Sequence, residues 1–283
     1  MRLLELYQTV QNEGKAYRYL SKICRKNGHR ICAYCHSRKV YAIGNKRYWC
    51  SRCSRRFSTF RNRWYGRLKI TASQWLWIIK LFEIEVSSRR IAHEVHLSYP
   101  TALKATHVIR QAILSQYNDY ELLLKGEVEA DEAYFGGNRK GKRGRGAASK
   151  VPVFGILERN GLVSVDVVPD VRAKTLLDMT IKKVRRGSIV YTDKYHSYDS
   201  LMFCGYRHLN LDHKKFFASG KVYINGLEGF WSFAKERLLK HHGVSKEKFP
   251  LYLKELEYRY NHRHKNLFVL LTKLLARFVP NLL

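Results

Sequence analysis

The stretch Gly126-Glu-Val-Glu-Ala-Asp-Glu-Ala-Tyr-Phe-Gly-Gly137 decides how this chain folds and what it can do. It is a β-like run interrupted by an acid, Asp131, and closed by a glycine pair. Two later stretches answer it. Ser188-Ile-Val-Tyr-Thr-Asp-Lys194 ends another β-like run on Asp193, and Ile224-Asn-Gly-Leu-Glu-Gly-Phe-Trp-Ser-Phe-Ala-Lys235 opens a helical pattern on Glu228. Taken singly, each acid has an ordinary role: Asp131 as a strand-end turn former, Asp193 in an Asx turn, Glu228 as a charge favoured at a helix N-terminus. Held jointly by two strands and a helix, they form the carboxylate set that paired Mg²⁺ (or Mn²⁺) ions need to work on a phosphodiester. Lys235 follows Glu228 by two helical turns, so it lies on the same face and points toward an incoming nucleic-acid strand.

Other acids compete. Glu132 should face the opposite side of the strand from Asp131, Asp170 reads as a capping residue, and Asp199 and Asp212 sit in polar loops. Asn225, three residues before Glu228, shares its helix face and is expected to help position the site.

Around these stretches the pattern is mixed α/β. Segments 127–135, 151–158, 162–168 and 188–192 are β-rich, with a weaker fifth at 208–211; 172–184, 225–240 and 250–260 are helical. Asn160-Gly161 marks a hairpin turn between the second and third strands. The loop 136–150 joins the first two strands with six cations, no acids and five glycines. It reads as a clamp on DNA through Arg139, Lys140, Lys142, Arg143 and Arg145.

The first part of the chain has a different character. Cys32-Ala-Tyr-Cys35 and Cys50-Ser-Arg-Cys53 form two CxxC knuckles 14 residues apart. Two such knuckles supply a tetrahedral Cys₄ shell for structural Zn²⁺ with no position left for a substrate. Between Arg38 and Lys69 there are eleven Lys or Arg and no Asp or Glu. Arg47, Arg52, Arg55 and Arg56, mixed with Tyr48 and Trp49, suit approach to a phosphate backbone. Beyond Thr71, a helix cap, 87–96 and 100–114 read as two helices joined by a tight turn, a helix-turn-helix signature. In that reading Lys104 reaches base edges, while Arg89 and Arg90 touch phosphates.

The domains expected are an N-terminal helix at 1–28, a zinc ribbon at 29–62, a helix-turn-helix module at 68–116 and a catalytic domain at 126–283. Composition supports the nucleic-acid reading. With 53 Lys+Arg against 23 Asp+Glu the net charge is +30, a strong pull toward a polyanion. A hydrophobic share of 45% with 13% aromatic residues excludes a disordered chain. No run reaches the ~18 apolar residues of a membrane span, and the N-terminus lacks a secretory pattern. The expected location is cytoplasmic, on the nucleoid.

The motifs Asp131-Glu-Ala-Tyr-Phe-Gly-Gly137, Tyr191-Thr-Asp-Lys-Tyr-His-Ser-Tyr198 and Asn225-Gly-Leu-Glu-Gly-Phe-Trp-Ser-Phe-Ala-Lys235 resemble those of bacterial insertion-sequence transposases of the group related to eukaryotic Merlin elements. Phe249-Pro-Leu-Tyr-Leu-Lys-Glu-Leu-Glu-Tyr-Arg-Tyr-Asn261 is similar to that family's C-terminal helix. The resemblance covers nearly the whole chain. It implies a multi-domain protein: a small zinc ribbon and helix-turn-helix, then an α/β RNase H-like mixed sheet flanked by helices. It also implies a DDE triad of Asp131, Asp193 and Glu228, with Lys235 as the downstream basic residue. Some relatives carry Asn or His at the third position; this chain has Glu. The activity implied is Mg²⁺-dependent cleavage and strand transfer at terminal inverted repeats, on double-stranded DNA at element ends and target. Coordinated action on two ends implies a homodimer in the DNA complex. The competing expectations are a DNA-binding regulator that has lost its chemistry and a structure-specific nuclease on the same fold.

Overall fold

In the computed structural model, residues 1–118, 123–136, 150–193, 202, 204–211, 224–241 and 243–280 are described. The clamp candidates Arg139, Lys140, Lys142, Arg143 and Arg145 lie outside them, as do Asp199 and Asp212. The chain divides into two units, one of residues 1–116 with 262–283 and one of residues 117–261.

The second unit carries the deciding stretch. Its five strands are numbered after three short ones in the first unit: β4 (Glu127–Phe135), β5 (Val151–Glu158), β6 (Val163–Val167), β7 (Ile189–Asp193) and β8 (Arg207–Leu211). They form one sheet in the order β6-β5-β4-β7-β8. β4 pairs antiparallel with β5 and β5 antiparallel with β6, whereas β7 pairs parallel with β4 and β8 parallel with β7. Helix α6 (Ala173–Lys183) makes the crossover before β7. This is the mixed α/β sheet that the sequence pattern led us to expect, flanked by helices as the family resemblance implies for an RNase H-like domain.

Alternation sorts the two faces of the sheet. Val128 and Ala130 of β4, with Phe154 and Ile156 of β5, pack with Leu176 of α6. Ala133 and Phe135, with Val153 and Leu157, pack against α7 (Asn225–Leu239) through Leu227, Phe230 and Trp231, and against α8 (Phe249–Asn261) through Leu253 and Leu256. Asp131 therefore belongs by parity to the face that α7 covers. Its partner across the β4–β5 ladder is Gly155. A Cβ at 155 would stand 2.5 Å from Trp231 Cζ2, so only glycine lets the indole lie against the sheet there. Gly155→Ala should displace Trp231 and cost about 1–3 kcal/mol, read as a lowered Tm. An unchanged Tm would contradict this packing.

Helix α8 closes the free edge of β6. Asn261 accepts from the Val163 N–H and donates to its C=O, both at 2.8 Å, and Glu257 accepts from the Val165 N–H at 3.0 Å. These side chains stand where another strand would bond, which blunts an otherwise sticky edge.

In the first unit, α1 (Leu3–Val10) and α2 (Glu13–Ile23) replace the single N-terminal helix expected, and a three-stranded antiparallel sheet follows: β1 (Val40–Ala42), β2 (Arg47–Cys50) and β3 (Arg56–Ser58). Then come α3 (Ala72–Glu83), α4 (Ser88–Glu94) and α5 (Tyr99–Asn118). Thr71 and Gln74 form a capping box on α3, and Ser87 caps α4 by accepting the Arg90 N–H.

The C-terminal boundary differs from the one expected. The sheet unit ends at Asn261, and the chain returns to the first unit. There α9 (Leu267–Leu275) buries Phe268, Leu271, Leu274 and Leu275 and packs on α2 and α3. Burial of this apolar face overrides sequence proximity to the catalytic motifs. Arg63 then holds the segment beyond α9: its guanidinium donates to the carbonyls of Ala276 and Cys24 and lies over the Phe278 ring.

Candidate active site and zinc centre

β4 and β7 pair in parallel with Glu127 opposite Ile189 and Glu129 opposite Tyr191. Asp131 and Asp193 each lie two residues beyond the last of these pairs, and Asp193 is near enough for its charge to act on Asp131. The two carboxylates feel each other. Burial, then the charges of Glu132 and Asp193, push Asp131 up to about 7, against hydrogen bonds from the Trp231 indole and the Glu132 backbone N–H. The indole Nε1 donates to Asp131 Oδ2 at 3.0 Å.

A cleft of about 500 Å³ opens beside this strand, walled by Asp131, Glu132 and Tyr134 from β4, Lys150, and Glu228, Trp231, Ser232 and Lys235 from α7. The α7 residues are spaced by three and four, one helix face, as the sequence spacing required. Glu228 and Lys235 are both exposed to it. Asp131, Glu228 and Lys235 thus share one cavity, and Asp193 adjoins it through Asp131 rather than forming its wall. Glu132 has the opposite parity yet also borders the cleft, because a cavity at the rim of a sheet is open to both faces. Asn225 is exposed and is not part of the wall. Asp170 forms the turn that leads into α6, accepting from the Arg172 N–H and the Thr175 hydroxyl.

The donor set suits a divalent cation. A carboxyl whose ionised form is opposed by burial and by two other carboxylates is stabilised when a cation replaces its proton. Yet the three acids do not make a tight cage. Among the described residues, the one group of three or more ligand side chains with all ligand atoms within 4.8 Å of one another is the cysteine set.

The raised Asp131 has a consequence for stability. The folded chain retains a proton there between the ordinary carboxyl value near 3.8 and about 7. Stability therefore falls as pH rises through that window, and the penalty is complete above it. Without added divalent cations, Asp131→Asn should raise stability at pH 8 by on the order of 1–2 kcal/mol and leave it little changed at pH 4. Denaturant melts of variant and parent at the two pH values check this, and a gain over the parent no larger at pH 8 than at pH 4 would contradict it.

In the first unit, Cys32, Cys35, Cys50 and Cys53 meet as the knuckle spacing required. The Cys32–Cys53 and Cys35–Cys50 sulfur pairs are each 3.6 Å apart. Four sulfurs about 2.3 Å from a tetrahedral Zn²⁺ stand about 3.8 Å from one another, so the thiols are already spaced for the ion. This is a structural zinc ribbon. Phe278 packs against its core and stacks on His36 at 4.6 Å. Arg47, Arg52, Arg55 and Arg56 are all exposed, with Arg55 over the Tyr34 ring at 5.0 Å. Arg89, Arg90 and Lys104 are exposed as well, Arg90 with Glu94 2.9 Å away.

Known proteins share both parts. A transposase zinc-ribbon domain matches residues 11–56, and an ISXO2-like transposase domain matches residues 123–261. An "Uncharacterized transposase-like protein" of Haemophilus influenzae is 47% identical over 96 residues, 34% of this chain and 78% of that protein. The chain belongs to the ISXO2-like transposases. A protein of Halobacterium salinarum described as an "Uncharacterized protein in transposable element ISH50" is 27% identical over 281 residues, covering 89% of this chain and 92% of that one. Among solved structures, a pre-cleavage Mos1 transpososome overlaps 71% of this chain and 78% of its own at 12% identity and a TM-score of 0.29, too loose a superposition to add to the assignment. Among the described residues, no helix of this transposase is long and apolar enough to cross a membrane.

Two residues at the site were missed in the sequence. Trp231 carried a signal, being three residues past Glu228 on the same helix face. Glu129 carried only its parity with Asp131.

Proposed function

We propose that this transposase binds the terminal inverted repeats of its insertion sequence and carries out strand cleavage and strand transfer at the Asp131–Glu228 cleft. Asp131, Asp193 and Glu228 are the residues that would hold Mg²⁺ or Mn²⁺. When bound, such ions activate the attacking oxygen and stabilise the leaving oxygen of a phosphodiester. The observation that supports the reading is a half-buried Asp131, close enough to Asp193 to feel its charge, sharing one cleft with Glu228 and Lys235.

The side chains divide the remaining work. Trp231 fixes the orientation of Asp131 through its indole N–H. Lys235 presents its ammonium to a phosphate in the cleft. Ribbon residues Arg47, Arg52, Arg55 and Arg56, with Arg89, Arg90 and Lys104 of the helical module, hold the duplex through its phosphates, so binding weakens with salt. Water first hydrolyses a phosphodiester at the element end and leaves a 3′-hydroxyl. That hydroxyl then displaces a target phosphodiester, one P–O bond forming as another breaks, with no covalent protein intermediate and no ATP. Two protomers acting on two ends make a dimer in the DNA complex, and the workplace is the bacterial nucleoid.

Incubating the protein with DNA carrying the repeats that flank its coding region tests the reading. Mg²⁺-dependent nicks at the repeat ends and joined products are expected. Binding without cleavage would mark a regulator, and cleavage of branched DNA without joining a nuclease; either would overturn the proposal.

A further inference from the structure

Two residues before Asp131, on the same face of β4, stands an acid that the proposed chemistry leaves unused. Glu129 is 1% exposed. Its carboxylate turns to the first turn of α7, where Oε2 accepts the Leu227 N–H at 2.9 Å and the Gly226 N–H bonds to it as well. Leu227 immediately precedes Glu228. Arg159 supports the carboxylate from behind, with Nε 3.3 Å from Oε1, while its guanidinium also bonds Glu127 at 2.7 Å and lies 3.7 Å over the Tyr191 ring. Gly226 is what permits the approach, since a Cβ there would stand 2.9 Å from Glu129 Oε2.

Apolar packing alone would leave α7 free to slide or rotate on the sheet, because the hydrophobic effect has no direction. Hydrogen bonds from two first-turn amides to one buried carboxylate do have direction. A buried ion pair is also a weak way to stabilise a fold, as apolar residues of similar volume do as well. We propose that Glu129 is a positioning residue: it ties the start of α7 to β4 and so fixes Glu228 opposite Asp131 at the spacing that divalent cations need. The inference rests on the cation-binding reading of the cleft.

Mn²⁺ binding to the full-length, zinc-loaded protein tests it, measured by calorimetry with a thermal melt of each variant. Glu129→Gln keeps an acceptor for the Leu227 N–H. The pair Glu129→Leu with Arg159→Leu removes the tether without stranding the Arg159 charge, so its Tm should fall only by what two first-turn amides left without an acceptor cost, and the melt shows that it is still folded. Affinity for Mn²⁺ should fall modestly in the first and about 10–100-fold in the second. Equal affinities in all three proteins, or a weaker site in Glu129→Gln than in the double variant, would overturn the proposal. Asp131→Asn separates the two ideas: if it leaves Mn²⁺ affinity unchanged, the cation reading of the cleft fails.

Discussion

Asp131→Asn should reduce strand cleavage at the element ends by about 10³-fold or more, equivalent to at least about 4 kcal/mol of transition-state stabilisation, while DNA binding survives. The amide keeps the shape and can still accept the Trp231 N–H, but it loses the negative charge that a divalent cation requires. Glu228→Gln should behave alike. Lys235→Ala should lose less, about 10–100-fold, because a single cationic contact to a phosphate is removed rather than a ligand to the ions. Single-turnover cleavage of a labelled element end, with a gel-shift measurement on the same substrate, separates chemistry from binding. Residual cleavage above a few per cent in Asp131→Asn would place the chemistry elsewhere.

The second large effect concerns the ribbon. Structural Zn²⁺ in small cysteine sites contributes about 10–16 kcal/mol of apparent binding energy, which is folding energy for a module this small. Its three strands have 3, 4 and 3 residues, too few to hold a sheet without the ion. Cys50→Ser should therefore abolish zinc retention and unfold the ribbon. It should also loosen the C-terminal segment, whose Phe278 packs against the ribbon core. Specific binding to the element end should drop by at least tenfold, since the exposed arginines of the ribbon lose their common frame. Zinc content by metal analysis and end binding by gel shift check both parts. A variant that keeps end-binding affinity without zinc would show that the ribbon is not a DNA contact.

Much of this was legible in the chain. The bounds of β4 and β5 follow from β-rich composition and turn residues, and both CxxC knuckles from spacing. The approach of Asp193 to Asp131 was not local information: it arises because α6 returns the chain to pair β7 parallel with β4. Glu129 looked like one more acid in an acidic strand, and only burial under the start of α7 gives it a distinct role. The run 267–275 is plainly apolar, but its partner, α3, lies nearly two hundred residues earlier, so a boundary drawn by sequence proximity ran past Asn261. The basic loop 136–150 was singled out by composition, and most of it lies outside the described residues.

The most direct measurement is a Mn²⁺ soak of crystals of the protein, read as anomalous scattering. The account predicts density in contact with the carboxylates of Asp131, Asp193 and Glu228, lost in Asp131→Asn. Saturating Mn²⁺ with no peak at those side chains, or with peaks only elsewhere on the chain, would contradict it.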